Sequence, residues 1–253
     1  MSSELTFLTP PQNDFEEAYL SARRKEGRVY SDEMVRQLPV VPKGHPQEKE
    51  WGLRRHNVQQ LLSHLQEQAP KHILDLGCGN GWLTHQLVAG QGNCSVLGLD
   101  VNIVELEQAQ RLFTSPSCQF AYGDIFKADL SIASFDSIIL ASCAQYFPDF
   151  PALLNRLLVL LKPEGEIHVF DTPFYSAAEI AAAKERTSAY YREQGQTAMQ
   201  EHYFHRAWTE LQTYRYKTQY NPNTLANRLK RKFGSTISPF PWLIIRHPIS
   251  SEE

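Results

Sequence analysis

The stretch Ile73-Leu74-Asp75-Leu76-Gly77-Cys78-Gly79-Asn80-Gly81 decides the fold. A short, mainly apolar run, HILDLG (72–77), ends in alternating glycines, and WLTHQLVAG (82–90) follows with the character of a helix. Glycines at 77, 79 and 81 let the backbone approach a ligand closely and adopt positive φ at little cost. Backbone N–H groups at the start of the next helix add hydrogen-bond donors. Outward from this loop the same rhythm repeats. SVLGLD (95–100) reads as a strand, VELEQAQRLF (104–113) as a helix, CQFAYGD (118–124) and FDSIILAS (135–142) as strands. PALLNRLLVLL (151–161) is a helix stopped by Lys162-Pro163-Glu164-Gly165, and EIHVFD (166–171) is a fifth strand. Short strands that are apolar throughout and alternate with helices call for a parallel sheet covered on both faces. Right-handed crossovers then give an open, doubly wound α/β sheet, with ligands at the carboxyl ends of its strands.

The flanks break this rhythm. Residues 1–70 form a helical N-terminal cap within the same domain. In it Asp14 caps FEEAYLSARRKE, Gly27 stops it, LPVVPKGHPQ (38–47) is a loop, and a helix runs from Trp51 to Glu67 before Pro70. Residues 71–253 hold the ligand-binding unit, with a helical insertion at about 173–213. The insertion reads as helix 176–195, between Ser176 and Gly195, and helix 199–212, with Phe204, Trp208 and Leu211 at helical spacing. A short basic helix, TLANRLKRKFG (224–234), and an edge strand within PFPWLIIRH (239–247) complete the chain.

Charge and composition narrow the partners. Lys and Arg total 25 against 28 Asp and Glu, so the chain lacks the positive surplus by which proteins grip a phosphate backbone. No nucleic-acid partner is expected. No apolar run approaches the roughly 20 residues that cross a bilayer, so no membrane partner is expected either. The first residues, MSSELTFLTPPQNDFEE, lack the basic and apolar regions of a secretory signal. Cys78, Cys94, Cys118 and Cys143 form no CxxC pair and read as buried free thiols of a reducing, cytoplasmic compartment. Arg23-Arg24-Lys25 reads as a solvated face.

Two acidic positions give the glycine loop a chemistry. Asp100, at the end of the second strand, can accept from both hydroxyls of a ribose, and Asp124 ends the third strand. Dinucleotides and S-adenosylmethionine (SAM) are both bound in this manner. The dinucleotide fingerprint is GxGxxG, whereas here the third glycine of Gly77-Cys78-Gly79-Asn80-Gly81 falls one residue early. Asp75 would repel a diphosphate and attract the sulfonium and ammonium of SAM. An NAD(P) oxidoreductase is thereby disfavoured. His202 and His205, three apart on an expected helix, lack a HExxH pattern and any further ligand at suitable spacing, so no metal is expected.

These motifs together resemble the class I SAM-dependent methyltransferases. DLGCGNG (75–81) is similar to their first motif, GLDVN (98–102) to the acidic second and GDIF (123–126) to the third. FDSIILASCAQYFPD (135–149) resembles the fourth with its following segment, and LKPEGEIHVFD (161–171) the fifth-strand signature. The resemblance covers roughly residues 50–172. It implies a Rossmann-like, seven-stranded, mostly parallel sheet, with the N-terminal cap and the insertion after the fifth strand as additions. It also implies site roles. Asp75, Gly77, Cys78 and Gly79 would line the methionine end of SAM, Asp100 the ribose, and Val101 the adenine. Asp124 would accept from the adenine amino group, Ile125 would pack on the ring, and Ala141 and Ser142 would border the transferring methyl. In this fold the residues ahead of the first strand fold over the cofactor, which makes Tyr30, Trp51 and Arg55, beside Arg54, contact candidates.

The acceptor is expected to be a small molecule. The Asn/Asp-Pro-Pro-aromatic tetrad of nucleic-acid amino-methylating relatives is replaced by Ala141-Ser142-Cys143-Ala144, and no Pro-Cys dipeptide occurs. Methyl transfer from a sulfonium mainly requires alignment and exclusion of water. Where the acceptor needs a base, Tyr146, His202 and His205 are the candidates. A competing expectation is a non-catalytic SAM-binding or scaffold protein of the same fold. The pattern leaves the acceptor and the oligomeric state open.

Overall fold

The structure, a computed structural model, describes residues 4–234 and 237–248; residues 1–3 and 249–253, at the two ends of the expected units, lie outside the described residues. The chain opens with β1 (Thr6–Phe7), α1 (Asn13–Lys25), α2 (Asp32–Gln37) and α3 (Glu48–Gln68). Asp14 lies inside the first turn of α1 and caps nothing; the cap position is Gln12, whose N–H is tethered to the Tyr122 hydroxyl at 2.8 Å. That tether fixes where the helix starts. α3 ends where Ala69 turns left-handed (φ 49°) ahead of Pro70.

The central units follow as expected: β2 (His72–Leu76), α4 (Trp82–Gln91), β3 (Ser95–Asp100), α5 (Ile103–Phe113), β4 (Cys118–Tyr122), β5 (Phe135–Ala141), α6 (Phe150–Leu160) and β6 (Leu161–Phe170). α6 places Leu153, Leu154, Leu157 and Leu160 on one wholly buried stripe, which seats it against the sheet. Lys162-Pro163-Glu164-Gly165, expected as the stop of the preceding helix, lies within β6. Phe135 pairs with Leu161 and Ser137 with Glu166, so the intervening residues form an irregularity in the strand where Pro163 needs no ladder bond.

The insertion departs from its expected form. β7 (Phe174–Tyr175) leads into α7 (Ala177–Glu193), where the Glu179 carboxylate accepts from the Ser176 N–H. The segment 199–212 is no continuous helix. It comprises a 3-10 turn (Thr197–His202), β8 (Arg206–Ala207) and a second 3-10 turn (Trp208–Leu211). β8 pairs in parallel with β7, and the Phe204 N–H donates to the Gln145 carbonyl at 2.7 Å. These long-range bonds override the helical spacing of Phe204, Trp208 and Leu211.

Three elements close the fold: β9 (Arg215–Tyr220), α8 (Leu225–Lys232) and β10 (Trp242–Arg246). The main sheet has eight strands in the order β1-β4-β3-β2-β5-β6-β10-β9, against the seven expected. β1 to β6 run parallel, and β10 is antiparallel to both β6 and β9. β10 is therefore interior. The edge belongs to β9, whose Arg215 and Lys217 keep a solvated border. The strand order reverses between β2 and β5, and the ligand crevice of such sheets lies above that point. Among the described residues, no helix is long and apolar enough to cross a membrane.

Candidate functional site

Above the carboxyl ends of β2, β3 and β5 a cleft of about 360 Å³ is lined by Gly77, Gly79, Asp100, Val101, Asp124, Ile125, Ser142 and Tyr146. It continues into a narrower, more polar recess that shares Tyr19, Gly77, Gly79 and Ser142 with it and adds Asp75, Cys78, Ala141, Tyr30, Trp51, Arg23 and Arg54. The combined space is of the size that holds a small ligand.

The glycine loop is shaped by close approach. A Cβ on Gly77, at φ 73°, would stand 2.5 Å from the Cys143 Cβ. A Cβ on Gly81, at φ 77°, would strike Ala109 and Phe120 at 2.7 Å, so that glycine serves packing beneath the loop. A Gly77→Ala protein is expected to lose about 2–3 kcal/mol of stability by strain and overpacking. A denaturant midpoint unchanged from wild type would show that the loop tolerates the methyl.

Asp100 is the hub of the loop. One carboxylate oxygen accepts from the Gly79 N–H at 2.7 Å, and the other from the Val101 and Asn102 N–H groups at 2.7 and 3.0 Å. Burial nevertheless raises its pKa, with those donors opposing the rise. Asp75 is 1 % exposed; its carboxyl takes a 2.6 Å bond from the Thr84 hydroxyl, and burial pushes its pKa up to about 7. Burial likewise lifts Glu105 to about 7, with Arg23 opposing the rise. Burial pushes the Cys78 and Cys143 thiols up, which leaves them as inert packing groups.

At the far end of the cleft Asp124 accepts from the Phe126 N–H at 3.0 Å and pairs with Lys127 at 3.1 Å. Ile125 is buried beside it, and its carbonyl accepts from Arg156 at 3.0 Å. Ser142 stands at φ 56° and Asp171, at the exit of β6, at φ 53°. Left-handed backbone at two non-glycine residues is strain of the kind concentrated at functional sites. Gln145, next to Tyr146, locks this corner. Its amide donates to the Ser142 carbonyl at 2.6 Å and accepts from the Thr172 hydroxyl at 3.3 Å.

The N-terminal elements supply the roof. Glu16 on α1 accepts from the Ile103 and Val104 N–H groups at 2.6 and 3.3 Å, capping α5 from 87 residues away. This seats Phe15, Tyr19 and Arg23 over the cleft, and Arg23 donates to the Tyr19 hydroxyl at 2.9 Å. Arg23 thus leaves the solvated face expected of it, while Arg24 and Lys25 stay exposed. Trp51 donates to the Tyr30 hydroxyl at 3.1 Å, and both line the recess. Arg55 does not: it is exposed on the outer face of α3, and its neighbour Arg54 faces the recess instead.

The three proton-transfer candidates are not brought together. Tyr146 lines the cleft among Phe15 and Tyr19, but burial raises its pKa, so it stays a neutral phenol suited to donating a hydrogen bond. His202 packs edge-on against Phe15 at 5.5 Å. His205 lies beyond Tyr203, bonded to the Thr187 hydroxyl at 2.9 Å, with its pKa lowered by burial. With no helix between them, the two histidines share no face.

One group among the described residues has metal-ligand geometry, His64 of α3 with Glu166 and His168 of β6. Trp242 donates to His168 Nδ1 at 3.3 Å, which leaves the hydrogen on Nε2, turned toward Glu166 at 3.4 Å. Arg246 pairs with the same carboxylate. A ring nitrogen carrying hydrogen and a neighbouring guanidinium make this a compensated charge cluster.

Comparison with known proteins gives a family and a set of relatives. Residues 67–221 match the family model described as "Methyltransferase domain". Trans-aconitate 2-methyltransferase of Deinococcus radiodurans is 38 % identical over 111 residues, 43 % of this chain and 41 % of that protein. Malonyl-[acyl-carrier protein] O-methyltransferase of Halalkalibacterium halodurans is 32 % identical over 117 residues, 44 % of this chain and 43 % of that protein. The chain thus spans less than half the length of either relative. Among solved structures, magnesium protoporphyrin IX methyltransferase from Synechocystis PCC 6803, with SAH bound, aligns over 92 % of this chain and 98 % of its own at TM-score 0.57 and 13 % identity, a likeness of fold.

Proposed function

The chain belongs to the methyltransferase domain family, and on that premise we propose that it transfers a methyl group from SAM to a small-molecule acceptor in the cytosol. The observation that carries this reading is the convergence of Asp75, the Gly77–Gly79 loop, Asp100 and Asp124-Ile125 on one cleft at the ends of consecutive parallel strands. The residues fit a cationic nucleoside. A buried carboxyl held at about 7 gains most from a neighbouring positive charge, because the cation replaces the water that burial removed.

When bound, SAM supplies an activated methyl on sulfur for in-line displacement. Asp100 accepts from the ribose hydroxyls, and Val101 and Ile125 flank the base. Asp124 accepts from the adenine amino group, exchanging its contact with Lys127 for it. Asp75 faces the ammonium and sulfonium, while Arg23 and Arg54 face the methionine carboxylate. Ser142 and Tyr146 border the methyl, and Phe15 and Tyr19 exclude water from above. The Tyr146 hydroxyl orients an acceptor oxygen or nitrogen as a donor; an acceptor that reacts as its anion needs no protein base.

Calorimetric titration with SAM, and with its demethylated product SAH, tests the reading. Saturable micromolar binding of both is expected, with SAH formed from SAM once an acceptor is present. Failure of both ligands to bind would refute the proposal.

A further inference from the structure

α8 is mounted with its polar side inward. Leu225, Leu229 and, just past the helix end, Phe233 recur every fourth residue and so stack on one side. The Phe233 N–H donates to the Leu229 carbonyl at 3.0 Å, which carries the helical turn through to that ring. All three side chains face solvent, at 73 %, 45 % and 81 % exposure. The side turned to the body is polar. The Asn227 amide donates to the Asn221 carbonyl at 2.7 Å, and Arg231 donates to the Ser238 carbonyl at 3.4 Å. The Thr224 hydroxyl accepts from the Asn227 N–H at 3.3 Å, which fixes where the helix starts. A surface helix of a globular protein buries its apolar stripe. Here no residue of the helix is buried.

The charge around the stripe is of one sign. Arg228, Lys230 and Lys232 are exposed, and no carboxylate among the described residues pairs with them. At about 100° per residue, Arg228 and Lys232 lie along one flank of the stripe and Lys230 along the other. From 211 to 251 the sequence holds no Asp or Glu, in a chain of net charge −3. β9 runs parallel to β6, since both are antiparallel to β10, so α8 leaves the same border of the sheet as the cleft.

An apolar stripe flanked by cations fits an occupant with an apolar interior and an anionic surface. A nucleic-acid backbone would satisfy the cations and leave Leu225, Leu229 and Phe233 in water. A second copy of α8 would bring like charges together. An anionic bilayer supplies acyl chains for the stripe and phosphate headgroups for the Arg and Lys, whose long stems reach from one layer to the other. We propose that α8 is a surface anchor that lays this chain on an anionic bilayer, with Leu225, Leu229 and Phe233 among the acyl chains and Arg228, Lys230 and Lys232 at the headgroups. The lack of a spanning helix bears on crossing a bilayer, not on lying upon one. The inference goes beyond the methyltransferase reading and takes no residue from the cofactor cleft.

The test mixes the full chain with vesicles of phosphatidylcholine alone, or of equal parts phosphatidylglycerol and phosphatidylcholine, and reads bound protein by flotation. Binding should be confined to the anionic vesicles and weakened by added potassium chloride. A Leu225→Ser, Leu229→Ser, Phe233→Ser variant, changed only at exposed positions, should fold as wild type by circular dichroism. It should bind those vesicles at least about 30-fold more weakly with every cation in place. An Arg228→Gln, Lys230→Gln, Lys232→Gln variant should lose about 100-fold, roughly five-fold per cation. The indole added in Phe233→Trp should be quenched by lipids brominated on their acyl chains.

Failure to bind anionic vesicles, or equal binding by the serine variant, would overturn the anchor. Binding to a DNA duplex as tight as to vesicles, and indifferent to the serine substitutions, would make the face a general polyanion contact and overturn it as well. Self-association that the serine variant loses, without vesicle binding, would give the stripe to a second copy. SAM affinity should be the same in wild type and all three variants, so its absence would count against the methyltransferase reading and leave the vesicle result to judge the anchor.

Discussion

In an Asp100→Ala protein, SAM affinity should fall by about 100-fold or more. Two hydrogen bonds from ribose hydroxyls to a carboxylate, at about 1.5–3 kcal/mol each, account for that loss. The substitution also strips the Gly79, Val101 and Asn102 N–H groups of their acceptor. Stability should therefore drop by about 2 kcal/mol. Asp100→Asn separates the two effects, since its carbonyl can still accept from part of this ring while its charge is gone. It should fold nearly as well as wild type and still bind SAM at least about 10-fold more weakly. Calorimetry on both variants, with circular dichroism for folding, gives the answer. Wild-type affinity in a folded Asp100→Asn protein would remove the ribose role.

Asp75→Asn should do the opposite to the fold. The difference between about 7 and the ordinary 3.8 marks a buried carboxylate that destabilises the ligand-free protein once ionised. Because the folded-state pKa is raised, the folded chain binds more protons than the unfolded one between these values. Stability from this group is whole below about pH 4 and declines as pH rises toward 7. Asparagine, still able to accept from Thr84, escapes that decline. Its advantage should be absent near pH 4 and level off above pH 7 at about 4 kcal/mol, roughly 10 °C of melting temperature. SAM binding should weaken about 30-fold, since the carboxylate facing its cationic groups is lost. In wild type, cation binding draws the proton off Asp75, so affinity should fall up to about 10-fold per pH unit below 7. In the variant that slope should shrink to whatever Glu105 contributes. A destabilised Asp75→Asn protein, or a wild-type affinity flat from pH 5.5 to 7.5, would contradict the assignment.

What could be read from the sequence follows from how far apart in the chain the partners lie. The glycine loop, Asp100 and Asp124 each sit at a strand end followed by a turn or helix, and three neighbouring strands bring them together without further information. The fold class was legible for the same reason. β9 was not, because RYKTQY is an exposed edge strand whose pattern carries no apolar run. The 199–212 segment was misread because its spacing is helical while its hydrogen bonds go to Gln145 and to β7. Arg23, Tyr19 and Glu16 reach the cleft only through the docking of α1 on α5, a contact no local pattern encodes. Arg54 and Arg55 show the finest limit: one residue along a helix turns a side chain by about 100°, and only the helix's orientation decides which faces the recess.

The interior position of β10 has a consequence for biosynthesis. A ribosome delivers this chain from its N-terminus, so β6 is complete long before its neighbour exists. Until residues near 246 emerge, Ile167, His168 and Val169 present an open strand edge, and β9 has no partner at all. The nascent chain must carry that adhesive border through the translation of some seventy further residues, a window in which chaperones can engage it and stalled products can cluster.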